Sequence, residues 1–175
     1  MLLEELRDAA HLEILRQVYE GSFPEEERRL WTDVLNPADP AGPHLSGIFR
    51  EGTDRPLGLV TIWHFDGFDY MEHFAVDSTL RSGGVGTAVL TALTGSSDRP
   101  LVIEVEPPQT SPEAVRRIGF YTRNGFETVT TDYIQPPYRP GLPPVPLHIM
   151  STRPDALPDT DTVIKTLHRR VYKAQ

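Results

Sequence analysis

Apolar residues recur along the chain with two different spacings, and each spacing predicts a different kind of element. Short runs that are apolar, or that alternate with polar residues, predict β-strands because successive strand residues face opposite sides of a sheet. Turn-forming pairs such as Asp66-Gly67 separate several of these runs. The predicted strands are Leu2–Arg7, His44–Arg50, Leu57–His64, Tyr70–Val76, Leu101–Glu106, Glu127–Ile134 and Val145–Ser151.

Apolar residues spaced by three or four positions predict helices between and after these strands. Ser111 and Pro112 suit the N-cap and first position of a helix, and Asn124-Gly125 suits its end. We expect residues 1–151 to form one domain, with residues 152–175 as a linker and a C-terminal helix packed on it. The predicted helices are Ala9–Glu20, one from Pro24 to Asn36-Pro37, Gly84–Thr94, one from Pro112 to Asn124-Gly125, and Thr162–Lys173.

The composition narrows the possible functions. With 175 residues and 38% hydrophobic content, the chain is long enough for one domain with a genuine core. The net charge of −8 disfavours a nucleic-acid partner and favours a cationic acceptor over an acidic one. The absence of cysteine excludes disulfides and a cysteine nucleophile, so any group transfer has to be direct.

Location and metal content follow from two further patterns. Met1-Leu2-Leu3 is followed at once by Glu4-Glu5, and no apolar run is long enough to span a membrane. We therefore expect no signal peptide, no membrane partner and a cytoplasmic location. The six histidines are not spaced as metal ligands, so no metal is expected.

The segment Arg81–Thr87, Arg-Ser-Gly-Gly-Val-Gly-Thr, connects the apolar strand residues Phe74–Val76 to a helical pattern. Free N–H groups at a helix start, with glycines that allow close approach, form an anion site, and Arg81 adds a positive charge. This pattern predicts a pyrophosphate site; the alternative is a glycine-rich turn that only begins a helix. Thr87 without a lysine excludes a P-loop, and Val89 excludes a dinucleotide fingerprint.

A strand, Arg-x-x-Gly-x-Gly and a helix resemble the acetyl-CoA-binding motif of the GNAT superfamily of N-acetyltransferases. A second segment, Tyr121-Thr122-Arg123-Asn124-Gly125-Phe126, matches the Tyr-x-x-x-Gly-Phe signature of that superfamily. Val102-Ile103-Glu104-Val105 resembles its strand with a central glutamate. The resemblance covers residues 57–126 by motif and the flanks by topology, and the order of the elements agrees throughout.

The resemblance implies an α/β fold of the α+β type, with a mixed, mostly antiparallel sheet and helices on both faces. The two central strands are expected to splay apart in a V that holds the pantetheine arm of acetyl-CoA, the cosubstrate. The pyrophosphate is expected at Ser82–Thr87, and the pantetheine amide at Phe74–Val76. The residues implied in acetyl-CoA binding are Phe74, Ala75, Val76, Arg81, Ser82, Gly83, Gly84, Val85, Gly86, Thr87 and Arg117.

The resemblance also implies direct transfer of an acetyl group to a primary amine. Tyr121 is the candidate acid for the leaving thiolate, with a core aromatic as the alternative. Glu104 or Glu72 is the candidate base, although either could be a structural carboxylate. Ala114 replaces an asparagine that often contacts the cofactor, so Arg117 is a candidate for that contact unless it is merely solvated.

The resemblance also bears on the partners of the chain and leaves one rival function. The expected acceptor is a small-molecule or peptide amine, and a homodimer is possible. The rival function is a non-catalytic acyl-CoA-binding or regulatory module that keeps the pyrophosphate site but has lost the chemistry.

Overall fold

The computed structural model describes residues 1–5, 8–80 and 83–174 and contains seven strands and five α-helices. The strands are β1 (Leu2–Glu5), β2 (His44–Phe49), β3 (Gly58–Phe65), β4 (Phe68–Val76), β5 (Leu101–Val105), β6 (Glu127–Gln135) and β7 (Val145–Ser151). The helices are α1 (Ala9–Ser22), α2 (Trp31–Leu35), α3 (Val85–Gly95), α4 (Pro112–Arg123) and α5 (Thr160–Thr166). Within the described ranges, none of the helices combines the length and the hydrophobicity that crossing a membrane requires.

The strands form one open sheet in the order β1-β2-β3-β4-β5-β7-β6. The pairs β1–β2, β2–β3, β5–β7 and β6–β7 are antiparallel. In contrast, β4 and β5 are parallel and pair at Asp69↔Leu101 and Tyr70↔Val102. The predicted fold class, an α/β fold with a mixed and mostly antiparallel sheet, is therefore confirmed.

The predicted helix from Pro24 to Asn36-Pro37 is wrong in its continuity. The chain instead forms a 3-10 turn at Glu25–Glu27 and the separate short helix α2. Arg28 between them is extended, with φ −138° and ψ 150°. The next residue, Arg29, donates its main-chain N–H to the Tyr19 hydroxyl at 2.9 Å. This long-range hydrogen bond replaces the helical bond that a continuous helix would make.

The C-terminal helix also differs from its prediction of Thr162–Lys173. The helix α5 begins earlier, because the side chain of Asp159 caps it by accepting from the N–H of Thr162 at 3.0 Å. Beyond Thr166 the chain continues as a π-helix, Leu167–Val171. Such wide turns are uncommon and are often found at functional sites.

The chain divides into two compact units. The first unit comprises Met1–His64 and Met71–Ser97. One cluster in its core joins Leu15 and Tyr19 of α1 to buried residues of α2, β2 and β3. Gly58 at the start of β3 permits a close contact within this unit, because a Cβ there would lie 2.1 Å from the Ala75 carbonyl oxygen. No side chain fits at that position without moving β4.

The second unit comprises Phe65–Tyr70 and Asp98–Gln175. Its fully buried side chains include Phe68, Ile103, Phe126 and Ile149. The C-terminal segment contributes to this core as well, since Val163, Leu167 and Val171 are buried. The second unit therefore holds both its central strand β5 and the C-terminal turns in one apolar interior.

Candidate active site

The predicted pyrophosphate site lies at the start of α3. Gly84 precedes the helix with φ 72° and ψ 2°, a left-handed conformation that favours glycine. The first helical hydrogen bond runs from the N–H of Ala88 to the carbonyl of Gly84, so the N–H groups of residues 85–87 have no helical acceptor. Gly83, Gly84 and Thr87 are exposed, while Arg81 and Ser82 of the prediction lie outside the described residues.

The environment of α3 fixes the direction of this helix start. Val85 and Val89 are buried in a cluster with Ile48 and Leu57 of the first unit. Among the described residues no side chain caps the helix start, and a Cβ built on Gly84 would meet no atom within 4 Å other than those of its chain neighbours and of the helix backbone itself. The result is an exposed, positive helix end that faces open space and can accept an anion.

The strand that leads to this site has exposed main-chain atoms at Glu72. The whole residue is partly exposed, yet its side chain is 0% exposed, so the accessible area belongs to the main chain. Beyond it, Phe74 and Val76 are half-buried and Ala75 is buried. A main chain that is accessible on β4 is the feature that pairing with an extended ligand requires.

The side chain of Glu72 is held in a buried ion pair. Arg29 donates its Nε–H to Oε1 at 2.6 Å, and Trp63 donates its indole N–H to Oε2 at 2.7 Å. The Arg29 guanidinium also lies 5.0 Å from the centre of the Trp63 ring. Both carboxylate oxygens are thus bound in a site from which water is excluded, an arrangement that supports the interpretation of Glu72 as a structural carboxylate.

His73, next to Glu72, connects four segments of the first unit. Its Nδ1 lies 3.2 Å from the Thr61 hydroxyl, and its Nε2 lies 3.3 Å from the Tyr19 hydroxyl and 3.2 Å from the Glu27 carbonyl oxygen. Burial lowers the pKa of His73 to about 4, despite an opposing contribution from Glu72. The imidazole is therefore neutral at pH 7 and joins α1, β3 and the 3-10 turn to β4.

This neutral histidine predicts that the protein loses stability in mild acid. In the unfolded chain His73 takes up a proton near pH 6.5, whereas in the folded chain it does so only near pH 4. The contribution of His73 to the free energy of unfolding is therefore fully present above pH 6.5 and is lost as the pH falls towards 4. The expected loss is about 3 kcal/mol at 1.36 kcal/mol per pKa unit. Urea unfolding at pH 7 and pH 4 measures it, and His73→Gln should remove most of this dependence. An unchanged pH dependence in His73→Gln would contradict the prediction.

Tyr121 lies in the last turn of α4, where the sequence signature places it. Its ring makes edge contacts with the rings of Phe120 and Phe126, with centroid distances of 5.3 and 5.2 Å. Gly125 has φ 86°, and the N–H of Phe126 donates to the Tyr121 carbonyl, which confirms the predicted helix end. Burial raises the pKa of Tyr121 to about 12. Its hydroxyl makes no hydrogen bond with any described residue.

Two other residues of α4 bear on cofactor binding. Ala114 is 0% exposed and faces the interior of the second unit. It occupies the position at which the sequence resemblance leads one to expect an asparagine. Arg117 forms an ion pair with Glu106 of the segment after β5. Its guanidinium is thus partly neutralised by a neighbouring carboxylate, at a position where both side chains still reach solvent.

Glu104 accepts hydrogen bonds from three tyrosines. Tyr70 and Tyr172 donate to Oε2 at 2.9 and 2.5 Å, and Tyr133 donates to Oε1. Burial and the nearby Glu104 charge raise the pKa of Tyr133 and of Tyr172 above 10. The phenols of Tyr133 and Tyr172 therefore stay protonated at neutral pH, and all three tyrosine hydroxyls serve as hydrogen-bond donors to Glu104.

Sequence reasoning did not identify these partners of the two glutamates. Arg29 is 43 residues from Glu72, and Tyr172 is 68 residues from Glu104, so no local spacing connects them. The available signal for Tyr172 was its position directly after Val171, in a C-terminal helical pattern expected to pack on the domain. Within the described ranges, no group of three histidine, cysteine or acidic residues could hold a metal ion.

Comparison with known proteins identifies the class of protein. Residues 10–126 match the model of the acetyltransferase (GNAT) family. A Bacteroides thetaiotaomicron structure assigned as an acetyltransferase of this family is 36% identical, with a TM-score of 0.89 and complete coverage of both chains. This chain therefore belongs to the acetyltransferase (GNAT) family, and the resemblance drawn from its motifs is confirmed.

More distant structures share the fold. Arabidopsis thaliana Naa50 in complex with the bisubstrate analogue CoA-Ac-MVNAL is 22% identical with a TM-score of 0.55, covering 86% of this chain and 96% of that one. The ribosomal-protein-alanine N-acetyltransferase of Brucella melitensis is 16% identical with a TM-score of 0.54, covering 86% and 98%. No curated protein matches the sequence.

Proposed function

We propose that this chain is an N-acetyltransferase that passes the acetyl group of acetyl-CoA directly to a primary amine. The observation that carries the proposal is the exposed start of α3 after Gly84, which no described side chain caps, in a chain of the acetyltransferase (GNAT) family. Three unpaired N–H groups and the helix dipole suit a diphosphate.

The residues around α3 fit acetyl-CoA by their chemistry. The N–H groups of Gly83–Thr87, together with Arg81 and Ser82, would hold the pyrophosphate, and the main chain of Phe74–Val76 would hold the pantetheine amide. Acetyl-CoA supplies the activated acetyl group as a thioester. Because Arg117 is engaged by Glu106, its proposed contact with the cosubstrate would require that ion pair to open or to be shared.

Tyr121 is the proposed acid for the leaving group. As the amine nitrogen bonds to the carbonyl carbon and the carbon–sulfur bond breaks, the departing thiolate needs a proton or a hydrogen bond. With its pKa near 12, the Tyr121 hydroxyl stays protonated at neutral pH and can donate that hydrogen bond. A thiol has a pKa near 8.5, so full proton transfer from Tyr121 is uphill. Tyr121 therefore acts mainly by sharing its proton in this hydrogen bond, and the proton lost by the attacking amine is the one that ends on the thiol.

Glu104 is the proposed base, acting on the amine directly or through a water molecule. Glu72 is the weaker candidate, because Arg29 and Trp63 bind its two oxygens in a fully buried position. Glu104 is held by neutral phenols, which orient the carboxylate without neutralising its charge. An oriented anion can accept a proton from an ammonium group and also attract it.

The charge of the chain and one structural relative bear on which amine accepts the acetyl group. The negative net charge favours an acceptor that is cationic before reaction. Naa50 is described with an analogue that joins CoA to the peptide sequence MVNAL, so a peptide amine belongs among the acceptors to be tried beside small amines.

Calorimetry with acetyl-CoA, followed by thiol release over a panel of peptide and small-molecule amines, tests the proposal. Binding together with turnover on at least one primary amine is the expected result. Binding without turnover on any amine would favour the rival function, an acyl-CoA-binding or regulatory module. Absence of binding would contradict both functions.

A further inference from the structure

The C-terminal segment brings a hydroxyl to Glu104 that the proposed reaction does not yet use. We propose that Tyr172 is a positioning residue: its hydroxyl, together with that of Tyr70, fixes Oε2 of Glu104 in the orientation that the base requires. This inference rests on the proposed function, because it takes Glu104 as the base.

The segment that carries Tyr172 is firmly attached to the second unit. Val163, Leu167 and Val171 are buried at 0%, 0% and 1% exposure, which anchors one side of it. The side chain of His168 is 3.1 Å from the carbonyl oxygen of Ile134 on β6. The guanidinium of Arg170 lies 5.5 Å from the centre of the Phe65 ring. The buried residues, together with the contacts of His168 and Arg170, therefore determine the position of Tyr172.

The π-helix sets the place of the tyrosine ring. The N–H of Tyr172 donates to the Leu167 carbonyl at 3.2 Å, five residues back, and the N–H of Ala174 donates to the His168 carbonyl. Lys173 then has φ 54°, which ends the turn. The ring of Tyr138 packs against that of Tyr172 at a centroid distance of 5.0 Å. A widened turn and a ring contact thus hold a buried phenol against β5.

The hydrogen bonds fix Glu104 from separate elements. The Tyr70 and Tyr172 hydroxyls both donate to Oε2 and lie 3.1 Å from each other, and Tyr133 donates to Oε1. A glutamate has three side-chain torsions, and contacts from β4, β6 and the C-terminal segment together restrict all of them. At position 172 it is the hydroxyl that contacts Glu104, whereas the ring contacts Tyr138.

Four tyrosines lie at this carboxylate or next to its partners: Tyr70 of β4, Tyr133 of β6, Tyr138 of the loop after β6, and Tyr172. The β7 residue paired with Glu104 is the apolar Ile149, and the His168 ring lies 5.6 Å from that of Tyr133. A change in the titration of Glu104 that follows removal of the Tyr172 hydroxyl, but not loosening of the same turn, can be assigned to that hydrogen bond.

Tyr172→Phe tests the inference, because it removes the hydroxyl and keeps the ring. We expect acetyl-CoA binding to be unchanged, kcat to fall about tenfold, and the acidic limb of the kcat/KM profile to move up by about one pH unit. The limb moves up because a carboxylate that loses a donor has a higher pKa. Val171→Ala is the matched control: it loosens the same turn but keeps the hydroxyl, so it should lower stability without moving the limb.

A parent-like kcat and acidic limb in Tyr172→Phe would overturn the inference, and so would an equal shift of the limb in Val171→Ala. If the parent turns over no amine, the proposed function fails separately. The carbon-13 signal of the Glu104 carboxyl, assigned with Glu104→Gln, then measures the same hydrogen bond without turnover. An unchanged titration of that signal in Tyr172→Phe would likewise overturn the inference.

Discussion

Replacing Tyr121 by phenylalanine is expected to lower kcat about 100-fold while leaving acetyl-CoA binding near that of the parent. The ring contacts with Phe120 and Phe126 are kept, so α4 should remain in place. The lost hydroxyl removes the donor to the leaving thiolate, and general acids typically contribute 100- to 10,000-fold to a rate. Thiol release at saturating acetyl-CoA and the best amine of the panel measures the change.

Tyr19→Phe is the control for this variant. It also removes a buried tyrosine hydroxyl, but one that bonds to Arg29 and His73 in the first unit. We expect it to reduce the free energy of unfolding and to preserve kcat. Equal losses of kcat in the two variants, or a parent-like kcat in Tyr121→Phe, would remove Tyr121 as the acid.

Replacing Arg29 by methionine is expected to destabilise the protein by about 3–5 kcal/mol. Glu72 has a side chain that is 0% exposed, and without the guanidinium its charge would stay buried with the Trp63 N–H as a remaining donor. Breaking one partner of a buried ion pair typically costs that much, because the other charge is left uncompensated. Urea unfolding of the parent and the variant at pH 7 measures the difference.

A double substitution separates the buried charge from the packing. In Arg29→Met with Glu72→Gln the charge is absent, and Trp63 still has an amide oxygen to bond. We expect this variant to recover a large part of the lost stability, and it also provides material if Arg29→Met alone does not fold. A change below about 1 kcal/mol in Arg29→Met would mean that the ion pair contributes no more than an exposed one.

Local patterns accounted for most of the fold. The strands Leu101–Val105 and Val145–Ser151 and the helix α4 were predicted to within a residue, because their signals lie inside the elements themselves. Ser111 caps α4 as expected, with its hydroxyl accepting from the N–H of Ala114 at 3.0 Å. The family was also identified correctly, since its motifs depend on glycines and an aromatic residue close together in sequence.

Long-range contacts account for what was missed. The interruption between Glu27 and Trp31 depends on Arg29 meeting Tyr19 and Glu72, which the sequence of that loop does not encode by itself. The sheet order β4-β5-β7-β6 brings Tyr70 and Tyr133 towards Glu104, and the C-terminal segment adds Tyr172. The roles of Tyr121, Glu104 and Glu72 in catalysis stay predictions.

The close contact at Gly58 limits which substitutions this chain can accept. Any larger residue at that position would meet main-chain atoms of Ala75 and Val76 rather than a side chain that could rotate away. The separation of β3 and β4 there is consequently a fixed dimension of the first unit. A side chain at position 58 would therefore require β3 and β4 to move apart, and a mutational library of this chain should leave codon 58 untouched.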